Sequence, residues 1–238
     1  GPMSRGLGDV YKRQKQSLLV FLFFNFFAFS QAPISKRLGE FSKVKVYSLI
    51  NVELIKASYN KVDISGENAK SVSVIQKNNT LKIKMEISKY FSGEETFVKL
   101  YYTKINTIDV RQGATVVSQA PIKQYELELN AREGGEITAP VDTKVLTIKT
   151  ATRGKVRVYG STKSQNIKIN TGGIYKGELL QAESSKIEIK AGGIADVKSS
   201  EFNDVRIFAG GVLSVFGKTK TIKRERISIL GGKIIYKE

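Results

Sequence analysis

The chain has 238 residues, of which 41% are hydrophobic, and carries a formal net charge of +17 from 39 Lys and Arg against 22 Asp and Glu. It contains no Cys, His or Trp. That excludes disulfides, thiolate nucleophiles and lipid attachment at a cysteine, and removes the commonest metal ligand and general base, so neither a metal site nor a cofactor is expected.

Gly1-Pro2 reads as a protease scar, and Met3 to Gln14 as residues of cloning or sequencing origin. Lys15 then precedes an apolar run over 18–29 that only Asn25 interrupts. At about twelve residues the run is too short for a bilayer core of roughly 30 Å, but it suits the core of a signal peptide. Small residues at Ala28 and Ser30 predict cleavage before Gln31, with no transmembrane span left in the mature chain. Residues 1–14 therefore stand outside the fold, 15–30 form the signal peptide, and 31–238 form one domain. Without residues 1–30 the chain keeps 35 basic against 21 acidic residues, a formal +14. An exported protein of that charge meets anionic polysaccharide or lipopolysaccharide before nucleic acid, and no nucleic-acid partner is expected. Its place is exported: periplasmic, outer-surface or extracellular.

Residues 33–100 alternate as strands without a strict period, at Phe41, Val44 and Val46, then Val62 and Ile64, then Leu81, Ile83 and Met85. Turn residues at 65–68, 77–79 and 92–93 separate the pieces, and no window has a helical pattern. Over 31–107 the chain is expected to form either wider, less regular turns of a coil or a capping sheet at its end.

From position 108 an aliphatic-x-aliphatic triplet returns at 108–110, 127–129, 146–148, 167–169, 187–189, 205–207 and 227–229. First members are 19, 19, 21, 20, 18 and 22 residues apart. A glycine follows each triplet, at Gly113, Gly134, Gly154, Gly172, Gly192, Gly210 and Gly231, and is doubled in five of the seven. One short strand per twenty residues marks a coil stacked on itself. The fold class is all-β, a single-stranded parallel β-helix (β-solenoid) with about seven regular rungs over 108–238, and the uneven turns favour a right-handed coil. The period of two points triplet ends inward and centres outward. Stacking the triplets gives an outward column of Asp109, Glu128, Thr147, Lys168, Glu188, Arg206 and Ser228. The glycines read as corners with positive φ. They do not read as a phosphate loop, because none leads into a lysine-serine/threonine ending and a helix. Ile174, Ile194 and Val212 restart the apolar pattern after their corners, and Ala191 and Ala209 are small enough for an inward stack.

Three stretches, 38–46 with Leu38-Gly39-Glu40-Phe41, Asn51-Val52-Glu53-Leu54, and Lys61-Val62-Asp63-Ile64-Ser65-Gly66, precede the Ala-Gly-Gly rungs. In order and extent, over about 34–238, this series resembles the putative auto-transporter adhesin, head GIN domain family of exported Bacteroidetes proteins. Arg111-Gln112-Gly113-Ala114 departs from the Ser-Gly-Ala-like turn common in that family. The resemblance implies a parallel β-helix, export and a surface or adhesive role. It supplies no catalytic residues.

Sugar-cleaving β-helices are the enzymatic alternative, and they need carboxylates held roughly 5–10 Å apart on one face. Asp196, Glu201 and Asp204 are the first suspects, Asp196 and Asp204 being expected to approach across a rung. For a non-enzymatic module, basic residues interleaved with tyrosine suit an anionic polysaccharide. The candidates are Lys155, Arg157, Tyr159, Lys168, Tyr175, Lys176 and Arg206, with Lys163, Phe216 and Lys218 nearby. Self-association through the ends of the coil is the third possibility.

Overall fold

The structure, a computed structural model, describes residues 33–227 and 231–237. The signal peptide and its cleavage point, and Ser228 and Ile229 of the last triplet, lie outside the described residues.

Among the described residues seventeen strands join into one sheet that coils on itself. They are β1 (Ile34–Arg37), β2 (Lys43–Val46), β3 (Asn51–Lys56), β4 (Lys61–Gly66), β5 (Val72–Lys77), β6 (Thr80–Met85), β7 (Thr96–Tyr102), β8 (Thr107–Val110) and β9 (Thr115–Ser118). After these come β10 (Ile122–Ala131), β11 (Glu136–Thr150), β12 (Lys155–Ile169), β13 (Ile174–Ile189), β14 (Ile194–Ile207), β15 (Val212–Phe216), β16 (Thr221–Ile227) and β17 (Lys233–Lys237). Each turn has two faces. Face 1 carries the apolar triplets; a tight corner leads to face 2; a bend within the long strands leads back to face 1 one rung further on.

On face 1 the parallel order is β6, β2, β8, then the later halves of β10 to β14, then β16. Face 2 runs β7, β3, β9, the first halves of β11 to β14, then β15 and β17. From β8 to β16 the coil makes about six turns, one fewer than expected, because seven strand positions enclose six intervals. Residues 33–107 are both rungs and cap. The rung β2–β3 lies between β6–β7 and β8–β9, out of chain order. Antiparallel strands finish that end, β5 on β6 and, on the other face, β1 on β4 on β7.

The interior is built of aliphatic stacks. Ile108, Leu129, Ile148, Ile167, Ile187 and Val205 form one buried column on face 1. This alters the sequence register. Ile108 faces Leu129, not Leu127, and Ile148, not Leu146, faces Ile167. The outward column is therefore Lys82, Lys45, Asp109, Asn130, Lys149, Lys168, Glu188 and Arg206. A slip of two residues preserves which side each residue faces, so alternation alone cannot detect it. Leu127 and Leu146 are buried in a second column whose later members are Gln165, Ser185 and Asn203, so that stack changes from leucine to amide and hydroxyl.

The residue directly after each corner points outward, contrary to expectation. Ile174 and Val212 are half-buried and Ile194 is exposed, while Tyr175, Ala195 and Leu213 fill the interior. Ala191 is exposed and Ala209 half-buried, so neither joins the inward stack.

Two different needs select glycine at the corners. Gly172 has φ +71 and open space where a Cβ would sit, so backbone conformation selects it. Gly154 is selected by contact: a Cβ there would lie 2.0 Å from the Ala131 carbonyl oxygen of the rung beneath. At that corner Thr152 and Arg153 take positive φ instead, at 48° and 60°.

Candidate functional site

Face 1 carries a shallow basic cleft of about 430 Å3 across β10 to β14. Lys149, Lys168, Lys186 and Arg206 supply its cations, and Glu128 and Glu188 its acids. Lys149 is held by Glu128 at 2.8 Å, and Glu188 by Lys190 at 3.0 Å. Burial works against the Glu128 charge, but the bonds from Lys149 and Asn130 outweigh it and hold the carboxyl below the usual range. Lys168 and Lys186 make no ion pair with any described residue. Toward β6 the same face continues through Lys43, Lys45 and Lys82. Burial and then the charge of Lys43 push the Lys45 ammonium below its ordinary value. Asp109 is almost wholly buried and accepts two 2.9 Å bonds from Arg111, with Arg132 at 3.7 Å.

The sequence-selected binding residues divide between two faces and the core. Lys168 and Arg206 lie in the face 1 cleft. Lys155, Arg157, Tyr159 and Lys176 lie on face 2, where Lys155 bonds Glu136 at 3.3 Å and Lys176 is ion-paired with Asp196. Tyr175 is not a surface ring. It is fully buried, its hydroxyl donates to Gln165 Oε1 at 2.5 Å, and burial drives its pKa far upward. Gly177 makes the room, since a Cβ there would lie 2.3 Å from the tyrosine oxygen.

The three acids suspected of catalysis share no site. Asp196 faces Lys176 on face 2, Glu201 bonds Lys220 at 2.9 Å beside the bend, and Asp204 lies opposite Lys186 on face 1. The expected approach of Asp196 to Asp204 fails because β14 carries them on opposite sides of its bend. Among the described residues no group of three His, Cys, Asp or Glu could hold a metal ion, and no helix is long and apolar enough to cross a membrane.

Two further depressions went unread in the sequence. One, of about 390 Å3 on face 2, is largely apolar and lies around Phe97 and Val117, flanked by Lys99 and Glu53. Phe97 is 55% exposed there. The other is a groove of about 400 Å3 along the bend between the faces. Its rims hold Lys144, Lys163, Lys198 and Lys218, and its floor Thr143, Thr162 and Ser199. The 18-residue interval in the period was the available signal for it.

A coil of parallel rungs with a basic cleft on face 1 defines a parallel β-solenoid. The chain belongs to the family described as putative auto-transporter adhesin, head GIN domain, whose model matches residues 40–219. Membership points to a surface or exported protein. Comparison with curated proteins finds no match. Among solved structures, a putative adhesin from Bacteroides fragilis is similar with a TM-score of 0.77 at 16% identity, covering 87% of this chain and 98% of that one. A putative adhesin from Parabacteroides distasonis gives 0.64 at 14% identity, with 86% and 95% covered. A putative lipid binding protein from the same species gives 0.61 at 14%, with 86% and 97% covered. At these identities the likeness establishes the fold.

Proposed function

We propose that this chain is an exported, non-enzymatic adhesive module that holds anionic polysaccharide or lipopolysaccharide on its basic face 1. One observation carries the reading: Lys168 and Lys186, without an ion pair to any described residue, stand with Lys149 and Arg206 in one cleft, on successive rungs about 4.8 Å apart. Like charges so close repel each other, and an anionic polymer laid across the rungs relieves that repulsion. The export signal read at 15–30 fits the same place of action.

The test is binding of lipopolysaccharide and a sulfated polysaccharide at two salt concentrations. Raising salt should weaken both. The double variant Lys168→Gln/Lys186→Gln should lose about tenfold, or about 1.4 kcal/mol. Binding indifferent both to salt and to the variant would overturn the proposal.

A second reading draws on the depression at Phe97 and Val117. An apolar cleft of that size suits an acyl chain, with Lys99 beside it for an anionic headgroup. The likeness in fold to a structure described as a putative lipid binding protein agrees with it. Phe97→Ser would then weaken binding of lipopolysaccharide while leaving an unlipidated polysaccharide untouched.

A further inference from the structure

The groove at the bend has a cause in turn length. From Gly177 to Ser184 β13 advances seven positions; the paired stretch of β14, from Val197 to Phe202, advances five. Thus Ile187 to Val205 is 18 residues, against 20 for the turns on either side, Ile167 to Ile187 and Ile207 to Ile227. A short turn between two longer ones dips below the surface of the coil, and the dip is the groove.

Its floor is polar, unlike the aliphatic column of Ile108 to Val205 on face 1. Thr143, Thr162 and Ser199 are each at least 95% buried and lie in one column, interrupted by Ala182. The Thr143 hydroxyl donates to that of Thr162 at 3.0 Å, and Ser199 Oγ donates to Asn203 Oδ1 at 2.5 Å. Asn203 in turn donates to Thr219 at 2.9 Å. A buried hydroxyl costs free energy unless it is bonded, and an alanine or valine column would pack there without that cost. The rims carry more cations than acids: Lys144, Lys163, Lys198 and Lys218 make no ion pair with any described residue, against Asp142, which pairs with Lys123, and Glu183. Lys163 and Lys198 lie two rungs apart, about 10 Å at strand spacing. Phe216 closes one end, covered by Lys237 Nζ at 5.0 Å from its ring centre.

We infer that this groove is a second, more enclosed binding site, which takes a short stretch of sugar chain bearing anionic groups along the coil axis. The sugar's anionic groups meet Lys163 and Lys198, its hydroxyls meet the serine and threonine lining, and a ring edge rests on Phe216. It rests on the reading of the module as a binder of anionic glycans, and assigns recognition of individual sugars to the bend while face 1 holds the polymer by charge.

The experiment titrates the full chain with trigalacturonate, a sulfated trisaccharide and a neutral glucose trisaccharide, beside a long sulfated polymer. At least one anionic trisaccharide should bind and the neutral one should not; which binds tells carboxylate from sulfate recognition. Lys163→Gln and Lys198→Gln should each weaken it at least fivefold. Ser161→Trp, on the groove wall, should abolish binding without changing charge. Lys168→Gln/Lys186→Gln should weaken the long polymer and spare the trisaccharide. Equal thermal midpoints would show that each variant is folded, with Ser161→Gln as the replacement if Ser161→Trp is not. Trisaccharide binding that ignores the groove variants, that includes the neutral sugar, or that is absent for both anionic trisaccharides overturns the groove. In each of those cases a long polymer still weakened by the face 1 variant leaves the adhesive reading standing. Loss of the face 1 effect with the groove effects intact overturns only the face 1 assignment.

Discussion

Residues 107–227 stack in chain order, each turn on the one before it, whereas residues 33–106 thread their rungs out of order. In the first region a turn meets a neighbour about twenty residues away. In the second, β2 must wait for β6 and β8, with Val44 paired to Leu81 on one side and Ile108 on the other. The difference lies in how the ends are closed. A regular coil offers unpaired strand edges at its ends. Here the N-terminal end is finished by antiparallel β1, β4 and β5, which a chain can reach only by leaving the stack and returning. The comparison also separates two ways of making a corner. In the regular coil glycine meets the close approach of rungs and shares the positive φ with residues such as Gln112, Thr152 and Arg153; at the β2–β3 corner Ser48 and Leu49 take positive φ without a glycine, at 61° and 62°.

The largest expected effect breaks the regular region. Gly154→Ala forces a Cβ to 2.0 Å from the Ala131 carbonyl oxygen, which the coil relieves only by moving a rung, at about 3 kcal/mol or more. Gly172→Ala meets no atom and costs only its left-handed backbone, about 1–2 kcal/mol. Urea unfolding should rank them in that order, and equal losses would collapse the distinction between the two glycine roles.

A smaller effect sharpens the topological contrast. Val44→Ala empties a fully buried position and should cost about 2 kcal/mol. Amide exchange should then quicken in β6 and β8 together, although they lie on opposite sides of the substituted strand in space and both lie beyond it in sequence. Ile187→Ala should loosen β12 and β14, the chain neighbours of β13. Faster exchange confined to β2 and β3 would contradict the inserted rung.

The smallest effect is electrostatic and present in both regions. Desolvation opposes the charge of Asp63, but bonds from Lys61 and Ser35 prevail and lower its pKa, much as Lys149 and Asn130 do for Glu128. A carboxyl lowered on folding adds stability above its unfolded pKa, about 4, and loses it as pH falls through the folded value. Glu128→Gln and Asp63→Asn should each flatten the acid limb of stability below about pH 5 and leave pH 7–8 parallel to the parent. An unchanged acid limb in either would remove that group from the linkage.

Much of the regular coil could be read directly, because strand alternation and corner residues are local properties. Ile167, Ile169, Ile187, Ile189, Val205 and Ile207 face inward as their spacing required. The binding site was harder to read. Lys168 and Arg206 share a face, but Lys155, Arg157, Tyr159 and Lys176 belong to another, because the bend within β12 and the corner after it lie between them. Tyr175 was misplaced through Ile174: the corner uses that isoleucine as an outward residue, and the alternation restarts one position later. Lys144, Lys163 and Lys198 belong to three different strands with no common motif. Only the shortened turn of β14 brings them to one groove.

Local pattern was enough to establish that this chain is an all-β coil, where its regular part begins, and which side of each described face 1 triplet is buried. These follow from steric rules acting within a few residues. The tertiary structure alone decided the register between rungs, since a slip of two residues leaves every side chain facing the same way. It also decided the inserted β2–β3 rung, the polar column of Gln165, Ser185 and Asn203, and the grouping of lysines at the bend. Each depends on which distant residues meet when unequal turns are stacked, and that is settled by packing rather than by local pattern.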